Sequence, residues 1–490
     1  MSNVLEIADC YDTIIIGGGI VGCAAAWALA RYELKVLLLE ANNDITCGAT
    51  KANSGIVHAG YDCVPGTLKA KLNADGAKMF PKLAKQLDFP FKVNGSLVLC
   101  FDKAEHSHIT ELYDRSQKNG IPDVEIISAE QAYKLETNLA DGLHSALHAK
   151  TAAVISPWEA AIAFAENAAT NGTDFLIETK VTNITRKNSI FEVHTAQKTF
   201  TAKTIINAAG VFSADVHNFI ADNADNSNNP DNPDNPEQEN IILQRGQYFL
   251  LDSAYKNFVQ HTLFQLPDNN GKGVLIAPTA DGNVIVGPNS ENISPETDFT
   301  APEDVKTTRK GLAEVLEKAA AAVKNLPING NITTFAGVRA KHSSKDFVIN
   351  EPIAGFVNAV GIDSPGLSAA PAIALMLADF ITKRLQPAQK ANHTPTRTAI
   401  QRFGELSFAE KQKLIAKNPK YGHIVCRCET VTEADIIDAI RRPVGAKNLD
   451  AIKRRTRSQA GRCQGGFCSL KLTDILQNEL GLSEEKIWSC

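Results

Sequence analysis

The sequence predicts an α/β chain built on a doubly wound dinucleotide-binding domain, and three observations predict it. The first is Tyr11 to Glu40, YDTIIIGGGIVGCAAAWALARYELKVLLLE. A short apolar run, a glycine cluster, an alanine-rich helical pattern and a second apolar run follow one another there, which is the order of a βαβ unit. The second is the late return of α/β character in TTFAGVRAKHSSKDFVI and FVNAVGIDSPGLSAAPAIALMLADFI. The third is a change of character at the end, where the basic stretch Tyr421 to Cys490 holds five of the ten cysteines.

In the first unit, Ile14 to Ile16 are apolar without alternation, as suits a strand buried on both faces. Gly17 permits the tight turn, and Gly19 lets the backbone approach a pyrophosphate at the positive end of a helix running from about Ile20 to Tyr32. Gly22 lets helix and strand pack closely. Val36 to Leu39 form the second strand, and Glu40 ends it, where a carboxylate can accept hydrogen bonds from both ribose hydroxyls of an adenosine. A lone glycine motif is weak evidence. Here strand, turn, helix, strand and terminal acid fall in register, so dinucleotide binding is the expectation.

At 490 residues the chain is too long for a typical single core, and two or three domains are expected. A net charge of −5 argues against nucleic acid as the principal partner. The opening MSNVLEIADC lacks a basic region followed by an apolar core, so no signal peptide and a cytoplasmic location are expected. Ile14 to Ala30 could mimic a membrane span, but the glycine turn and the strand after it favour the buried βαβ reading. Peripheral association with the inner membrane, through a partner, stays open. Ten cysteines without a secretion signal suggest a reducing compartment.

After Glu40, ANNDITCGATKANSGIVHAGYDCVPGTLKAKL is too rich in small residues for a core and reads as a loop over whatever the first turn binds. Leu68, Leu72, Met79, Leu83 and Leu87 mark a helix from Leu68 to Leu87. Phe91 to Phe101 reads as a strand, and Ser128 with Gln131 forms a capping-box pattern. A helix from about Ser156 to Ala169 precedes a β-rich stretch from Phe175 to Ile206. Residues 221–240, ADNADNSNNPDNPDNPEQEN, are too polar to offset the entropy of ordering and read as a mobile surface insertion. Strand patterns return from Ile241 to Gly287, a helix follows near Pro302–Val323, and 386–419 is a polar linker with a helical stretch.

Cys426-Arg-Cys428 is followed after 34 residues by Cys463-Gln-Gly-Gly-Phe-Cys468. Four thiolates in two close pairs suit a [2Fe–2S] cluster or a Zn(Cys)4 site, with disulfides a third alternative. The CxC and CxxxxC spacings weigh against zinc. Arg454, Arg455, Arg457 and Arg462 could offset the thiolate charge, form a docking face for an acidic carrier, or make a solvated face. Cys10, Cys23, Cys47, Cys63, Cys100 and Cys490 have no ligand spacing, and thiol packing is their default. Cys47 and Cys63 flank the loop expected over the first turn.

The segments GATKANSGIVHAGYDCVPGTLKA, INAAGVFSADV, AGVRAKHSSKDFVI and GIDSPGLSAAPAIA, in that order, resemble the FAD-dependent oxidoreductases of the D-amino-acid oxidase superfamily. The similarity runs from about Tyr11 to Arg384. The nearest groups are glycerol-3-phosphate dehydrogenases and L-2-hydroxyglutarate oxidases or dehydrogenases. The tail, with VTEADIIDAI and IKRRTRSQAGRCQGGFC, resembles the bacterioferritin-associated-ferredoxin-like [2Fe–2S] domain. The fusion of the two resembles the large-subunit family of anaerobic glycerol-3-phosphate dehydrogenases.

These resemblances imply a doubly wound FAD-binding domain, an antiparallel-sheet substrate domain and a small, C-terminal, α-rich [2Fe–2S] domain. The first two would share 1–385, with FAD-binding segments at about 1–90, 150–215 and 335–385 and cap segments at about 91–149 and 241–334. The cluster domain would occupy 420–490. Toward FAD, the resemblance implies Ala49, Thr50, Ser54 and Gly55 at the pyrophosphate and flavin, Ala209 and Gly210 near the adenine-side strand, and Gly366, Leu367 and Ser368 near the ribityl chain and ring. It places His58 next to the flavin face, as a base for a hydroxyl proton or as a packing residue. Arg339 falls at the superfamily's anion-binding position, with Lys341 and His342 as weaker neighbours. Arg245 and Tyr248 match a substrate-domain motif, although strand alternation would turn one of them outward. Cys426, Cys428, Cys463 and Cys468 would hold the cluster.

The implied activity is oxidation of a small anionic alcohol by hydride transfer to FAD, with electrons leaving singly through the cluster. The acceptor would be a carrier protein or partner subunit leading to a quinone. Glycerol 3-phosphate is the first substrate expectation, because the fusion matches that family. L-2-hydroxyglutarate or another 2-hydroxy acid is the alternative, because NSGIVHAGYDCVPGTLKA looks closer to that branch. Amine oxidation and a pure electron-transfer subunit are further alternatives.

Overall fold

Apolar runs without alternation pair side by side in the N-terminal sheet. The computed structural model describes residues 10–187, 189–223, 236–266, 273–294 and 305–488. Tyr11–Ile16 lies at the centre of a seven-stranded sheet, flanked in parallel by Val36–Leu39 and Thr199–Asn207. Asp174–Leu176 continues it beyond Val36–Leu39, and Phe356–Asn358 pairs in parallel with Thr199–Asn207. Val181–Lys187 and Ile190–Thr195 add an antiparallel meander.

The glycine-turn helix, Ile20–Leu29, is shorter at its C-terminal end than its periodicity suggests. Its alanines let it lie in one buried cluster with Pro157–Thr170 and Gly366–Leu385. Among the described residues, Gly366–Leu385 is long and apolar enough to cross a membrane. It packs instead in the core with Ile20–Leu29 and Leu68–Leu87. The Ser128 capping box forms as expected, with the side chains of Ser128 and Gln131 each accepting from the other's backbone N–H.

The second sheet has nine strands in the order Glu291–Asn292, Ile241–Leu251, Val284–Gly287, Leu275–Pro278, Thr262–Gln265, Ser96–Cys100, Ser145–Ala149 and Val124–Ser128, with Asn331–His342 also paired to Ile241–Leu251. It is antiparallel except where Thr262–Gln265 runs parallel to Ser96–Cys100. Asn331–His342 runs across the boundary expected between cap and flavin segments. Phe91 to Phe101 is not one strand: Phe91–Val93 and Ser96–Cys100 enter different sheets, with Gly95 at φ +69° between them. A three-stranded sheet of Ile56–Val57, Ala153–Ile155 and Phe91–Val93 joins the two larger units. Of the insertion expected at 221–240, residues 224–235 lie outside the described residues, and 221–223 end the helix Ser213–Asn223.

The first half of the linker expected at 386–419 is pinned to the protein, while its helix Phe408–Lys417 buries no residue. Arg397 pairs with buried Glu166 at 2.5 Å, and Arg402 meets Glu159 and Asp281 at 2.8 Å each. Beyond it, the hairpin Ile424–Cys426/Val431–Thr432 and the helices Glu433–Arg441, Leu449–Thr456 and Ser469–Leu480 enclose a small core of their own.

The arginine run of this tail is mostly not solvated. Arg454 and Arg455 are buried and both reach Asp44 at 2.7 Å, in the loop that follows Glu40. Arg457 pairs with Asp281 of the second sheet's side at 2.8 Å and with Glu429 at 2.8 Å. Arg462 reaches Asp252 at 3.1 Å while its side chain stays mainly exposed. Arg442 adds a two-pronged contact to Glu166 at 2.8 Å per prong. These charges fasten the tail to the two larger units, which corrects the solvated-face and acidic-carrier readings for Arg454, Arg455 and Arg457.

Candidate active site and cluster site

The glycine turn is built for close approach. A Cβ on Gly17, at φ +106°, would stand 2.4 Å from the Ala208 carbonyl oxygen, and one on Gly22 would stand 1.9 Å from that of Gly17. Gly19 enters the helix extended and offers no side-chain cap. The hydroxyl of Thr50 accepts from the Ile20 N–H at 2.9 Å, so a residue of the loop after Glu40 completes the helix N-terminus. Glu40 accepts from the backbone N–H groups of Gly18 at 2.6 Å and Asn42 at 2.8 Å. Burial outweighs these bonds and raises its carboxyl. The positive helix end, the narrow backbone cradle and an acid beside it fit the pyrophosphate and ribose of a dinucleotide.

Beside this turn lies a cavity of about 330 Å³. The loop after Glu40, expected to lie at the flavin, contributes Ala49, Thr50 and Ser54, the following strand end contributes His58, and Gly210, Gly366 and Leu367 close the near side. The second sheet contributes Tyr248, Arg339 and Lys341. Small residues on the flavin side and polar side chains opposite suit a flat ring with a substrate over it.

The backbone of His58 is fixed from below. Its N–H donates to the Ser368 hydroxyl at 2.8 Å, and that hydroxyl lies 3.3 Å from the Ile56 carbonyl oxygen. The His58 ring stacks on Phe264 with centroids 5.6 Å apart. Arg339 and Lys341 are two apart on one strand and so share a face. Arg339 donates to the neutral amide oxygen of its cross-strand partner Gln244 at 3.1 Å. Among the described residues it has no ion pair within 4.0 Å. Tyr248 is buried and stacks on Phe335 at 4.7 Å. Lys69 holds Asp363, another wall residue, at 2.5 Å.

Several expected residues lie elsewhere. Arg245 points away from the cavity because it is three residues from Tyr248 on the same strand; it pairs with Glu291 at 3.0 Å. Ser368 is fully buried and supports His58 from beneath the cavity wall. Gly55 borders a neighbouring cavity of about 550 Å³, and its carbonyl accepts from the Ile155 N–H at 2.8 Å. Ala209 sits beside Gly210 without lining the cavity. His342 turns to the opposite face and meets Glu239 at 2.8 Å. Gln244, Phe264 and Ser290 line the cavity unforeseen. Gln244 had a usable signal, since i and i+4 on a strand share a face with Tyr248.

The four tail cysteines come together at one edge of the small domain. Cys428 and Cys463 have sulfurs 3.6 Å apart, and Cys426 contacts Cys468. Among the described residues no three His, Cys, Asp or Glu side chains converge as for a single ion. Two thiol pairs fit a two-iron cluster, each iron taking two sulfurs. Cys23, Cys47, Cys63 and Cys100 are buried, Cys10 is half-buried, and Cys490 lies outside the described residues.

The model of the family described as FAD dependent oxidoreductase matches residues 12–380, and that of the BFD-like [2Fe–2S] binding domain matches 424–478. A glycerol 3-phosphate dehydrogenase of Caloramator mitchellensis is 43% identical over 97% of this chain and 96% of its own. A mitochondrial L-2-hydroxyglutarate dehydrogenase of Caenorhabditis briggsae is 28% identical over 57% of this chain and 63% of its own. In structure, the chain resembles a dithionite-reduced L-α-glycerophosphate oxidase of Mycoplasma pneumoniae with FAD bound. The TM-score is 0.72 at 29% identity, covering 80% of this chain and 99% of that one. FAD and a [2Fe–2S] cluster are therefore its cofactors. The chain belongs to the family of FAD dependent oxidoreductases and carries a BFD-like [2Fe–2S] binding domain at its C-terminal end.

Proposed function

We propose that this oxidoreductase converts glycerol 3-phosphate to dihydroxyacetone phosphate. The observation that carries the reading is the meeting of His58, Arg339 and Lys341 in one cavity against the glycine turn. Two cations on one strand face suit a dianionic group, and Arg339 keeps its charge for a ligand because its bond goes to a neutral amide. The phosphate would be held there, leaving the secondary hydroxyl toward His58. His58 takes the hydroxyl proton as the carbon-bound hydrogen leaves. Phe264 and Ser368 hold that imidazole in place from ring and backbone. Bound FAD supplies the two-electron acceptor, and the cluster supplies one-electron steps.

The site roles extend to the cofactor side: Gly17, Gly19, Gly22, Glu40, Thr50, Gly210 and Gly366 hold FAD, and Cys426, Cys428, Cys463 and Cys468 hold the cluster. Residues 1–385 act as the flavin and substrate unit and 420–490 as the cluster unit. The electrons pass to a carrier protein or partner subunit leading to a quinone, with the enzyme cytoplasmic and at most peripheral to the inner membrane.

L-2-hydroxyglutarate is the second reading, because it too is a dianion with a secondary hydroxyl and relatives acting on it share part of the chain. The relative spanning 97% of the chain favours the phosphate. Steady-state oxidation with ferricyanide as artificial acceptor tests this. Dihydroxyacetone phosphate formed from glycerol 3-phosphate, with no turnover of L-2-hydroxyglutarate, is the expected outcome. Turnover of the hydroxy acid alone contradicts it.

A further inference from the structure

Three arginines of the cluster domain are committed inward, which leaves its outward edge to other residues. Arg454, Arg455 and Arg457 are tied to Asp44 and Asp281 of the larger units. Around the cysteines, Cys426 and Cys468 are buried, Cys463 is half-buried and Cys428 is exposed. Beside them, Phe467 is 86% exposed and Leu470 is 75% exposed. Phe467 is the most exposed large hydrophobic side chain among the described residues. Single exposed apolar residues need no explanation. Two of them, Phe467 just before Cys468 and Leu470 in the first turn of the helix Ser469–Leu480, flank a cluster ligand and form a patch.

The rim of the patch is basic. Arg427, between the first two cysteines, and Lys471, next to Leu470, are both exposed. Several acids of the domain are already engaged: Glu429 by Arg457, Glu433 by Lys420 and Glu479 by Arg441. Exposed Asp474 stands on the same helix four residues from Leu470 and three from Lys471, so the rim carries two cations and one acid. An apolar centre with a basic rim complements a partner with an apolar centre and an acidic rim, which also steers encounter.

We propose that this edge is the docking surface for an acidic one-electron carrier protein, which packs over Phe467 and Leu470 and takes electrons at the Cys428 side of the cluster. The proposal rests on the cluster reading above. Each encounter oxidises the reduced cluster domain by one electron and reduces the carrier by one, with no bond made or broken. Two encounters therefore clear the electron pair from one substrate.

The test uses the holoenzyme and a plant-type ferredoxin as an acidic probe, with cytochrome c as a basic one. Binding is measured by calorimetry at several salt concentrations. The wild type binds ferredoxin with an affinity that falls as salt rises, and binds cytochrome c weakly. Phe467→Ser/Leu470→Ser and, separately, Arg427→Glu each weaken ferredoxin binding about tenfold or more. Bleaching of the flavin by substrate and the electron paramagnetic resonance signal of the reduced cluster stay unchanged. Unchanged ferredoxin affinity in both variants, with a normal cluster signal, overturns the docking surface alone. Absence of a [2Fe–2S] signal in the wild type overturns the cluster reading and the docking surface with it.

Discussion

Two sets of arginines in this chain differ in what holds their charge. Arg339 stands in the cavity beside the glycine turn and donates to the neutral Gln244. Arg454 and Arg455 stand where the cluster domain meets the flavin loop and share one carboxylate, Asp44. Arg245, one strand over from Arg339, is neutralised by Glu291. A cation already paired with a carboxylate has little attraction left for a ligand, whereas one held by an amide keeps it. The difference separates recognition from assembly among residues that look alike in the sequence.

The largest expected effect lies on the recognition side. His58→Asn lowers the rate of flavin bleaching by substrate about 10²- to 10⁴-fold, the usual worth of a positioned base, while substrate affinity changes little. Stopped-flow spectroscopy separates the two. Arg339→Met raises the substrate dissociation constant about 100-fold, from the loss of roughly 2–3 kcal/mol of charge-assisted hydrogen bonding. If that constant is unchanged, the arginine has been assigned wrongly.

On the assembly side, Asp44→Asn leaves buried Arg455 without a charge partner and Arg454 with Asp450 alone, a local cost of about 3–5 kcal/mol. It is expected to make the 386–419 connection sensitive to protease and to lower the unfolding midpoint, while Arg339 still binds substrate. Arg245→Met sharpens the contrast. It is expected to leave substrate affinity as it is and to cost about 1 kcal/mol of stability, since Glu291 is partly exposed.

The smallest effect is in pH dependence, where two acids of the assembly differ in sign. Burial alone would raise the Asp44 carboxyl, but Arg455 and Arg454 outweigh it and hold it below its ordinary value. Its stabilisation is full above about pH 4 and is lost as pH falls further. Burial pushes Glu159 up to about 6 despite Arg402. Its contribution is full below an unfolded value of about 4.3 and is lost as pH rises from there toward 6. Glu159→Gln is expected to flatten the unfolding midpoint between those values without altering the acid limb below pH 4.

The local signals in the sequence were strong where one short segment makes the feature alone. The βαβ unit and the Ser128 cap are of that kind, and each half of the cysteine motif, CxC and CxxxxC, is as local. The remainder depends on contacts between distant segments. Thr50 completes a helix that begins at Ile20, Ser368 holds His58 from the far end of the chain, and Asp44 pairs with arginines in the tail. Alternation said that Arg245 and Tyr248 face opposite ways, but which faced the cavity depended on the packing of the nine-stranded sheet. The arginine run was visible, and its partners were not, because ion pairs between domains leave no periodicity.

The central claim is that the cavity oxidises a small phosphate ester. It is tested most directly by an anaerobic visible spectrum of the purified protein, titrated with glycerol 3-phosphate and then, in a fresh sample, with L-2-hydroxyglutarate. Bleaching of the flavin by the first and not the second is the predicted result. Bleaching by the hydroxy acid alone, or by neither compound with the flavin intact, would contradict it.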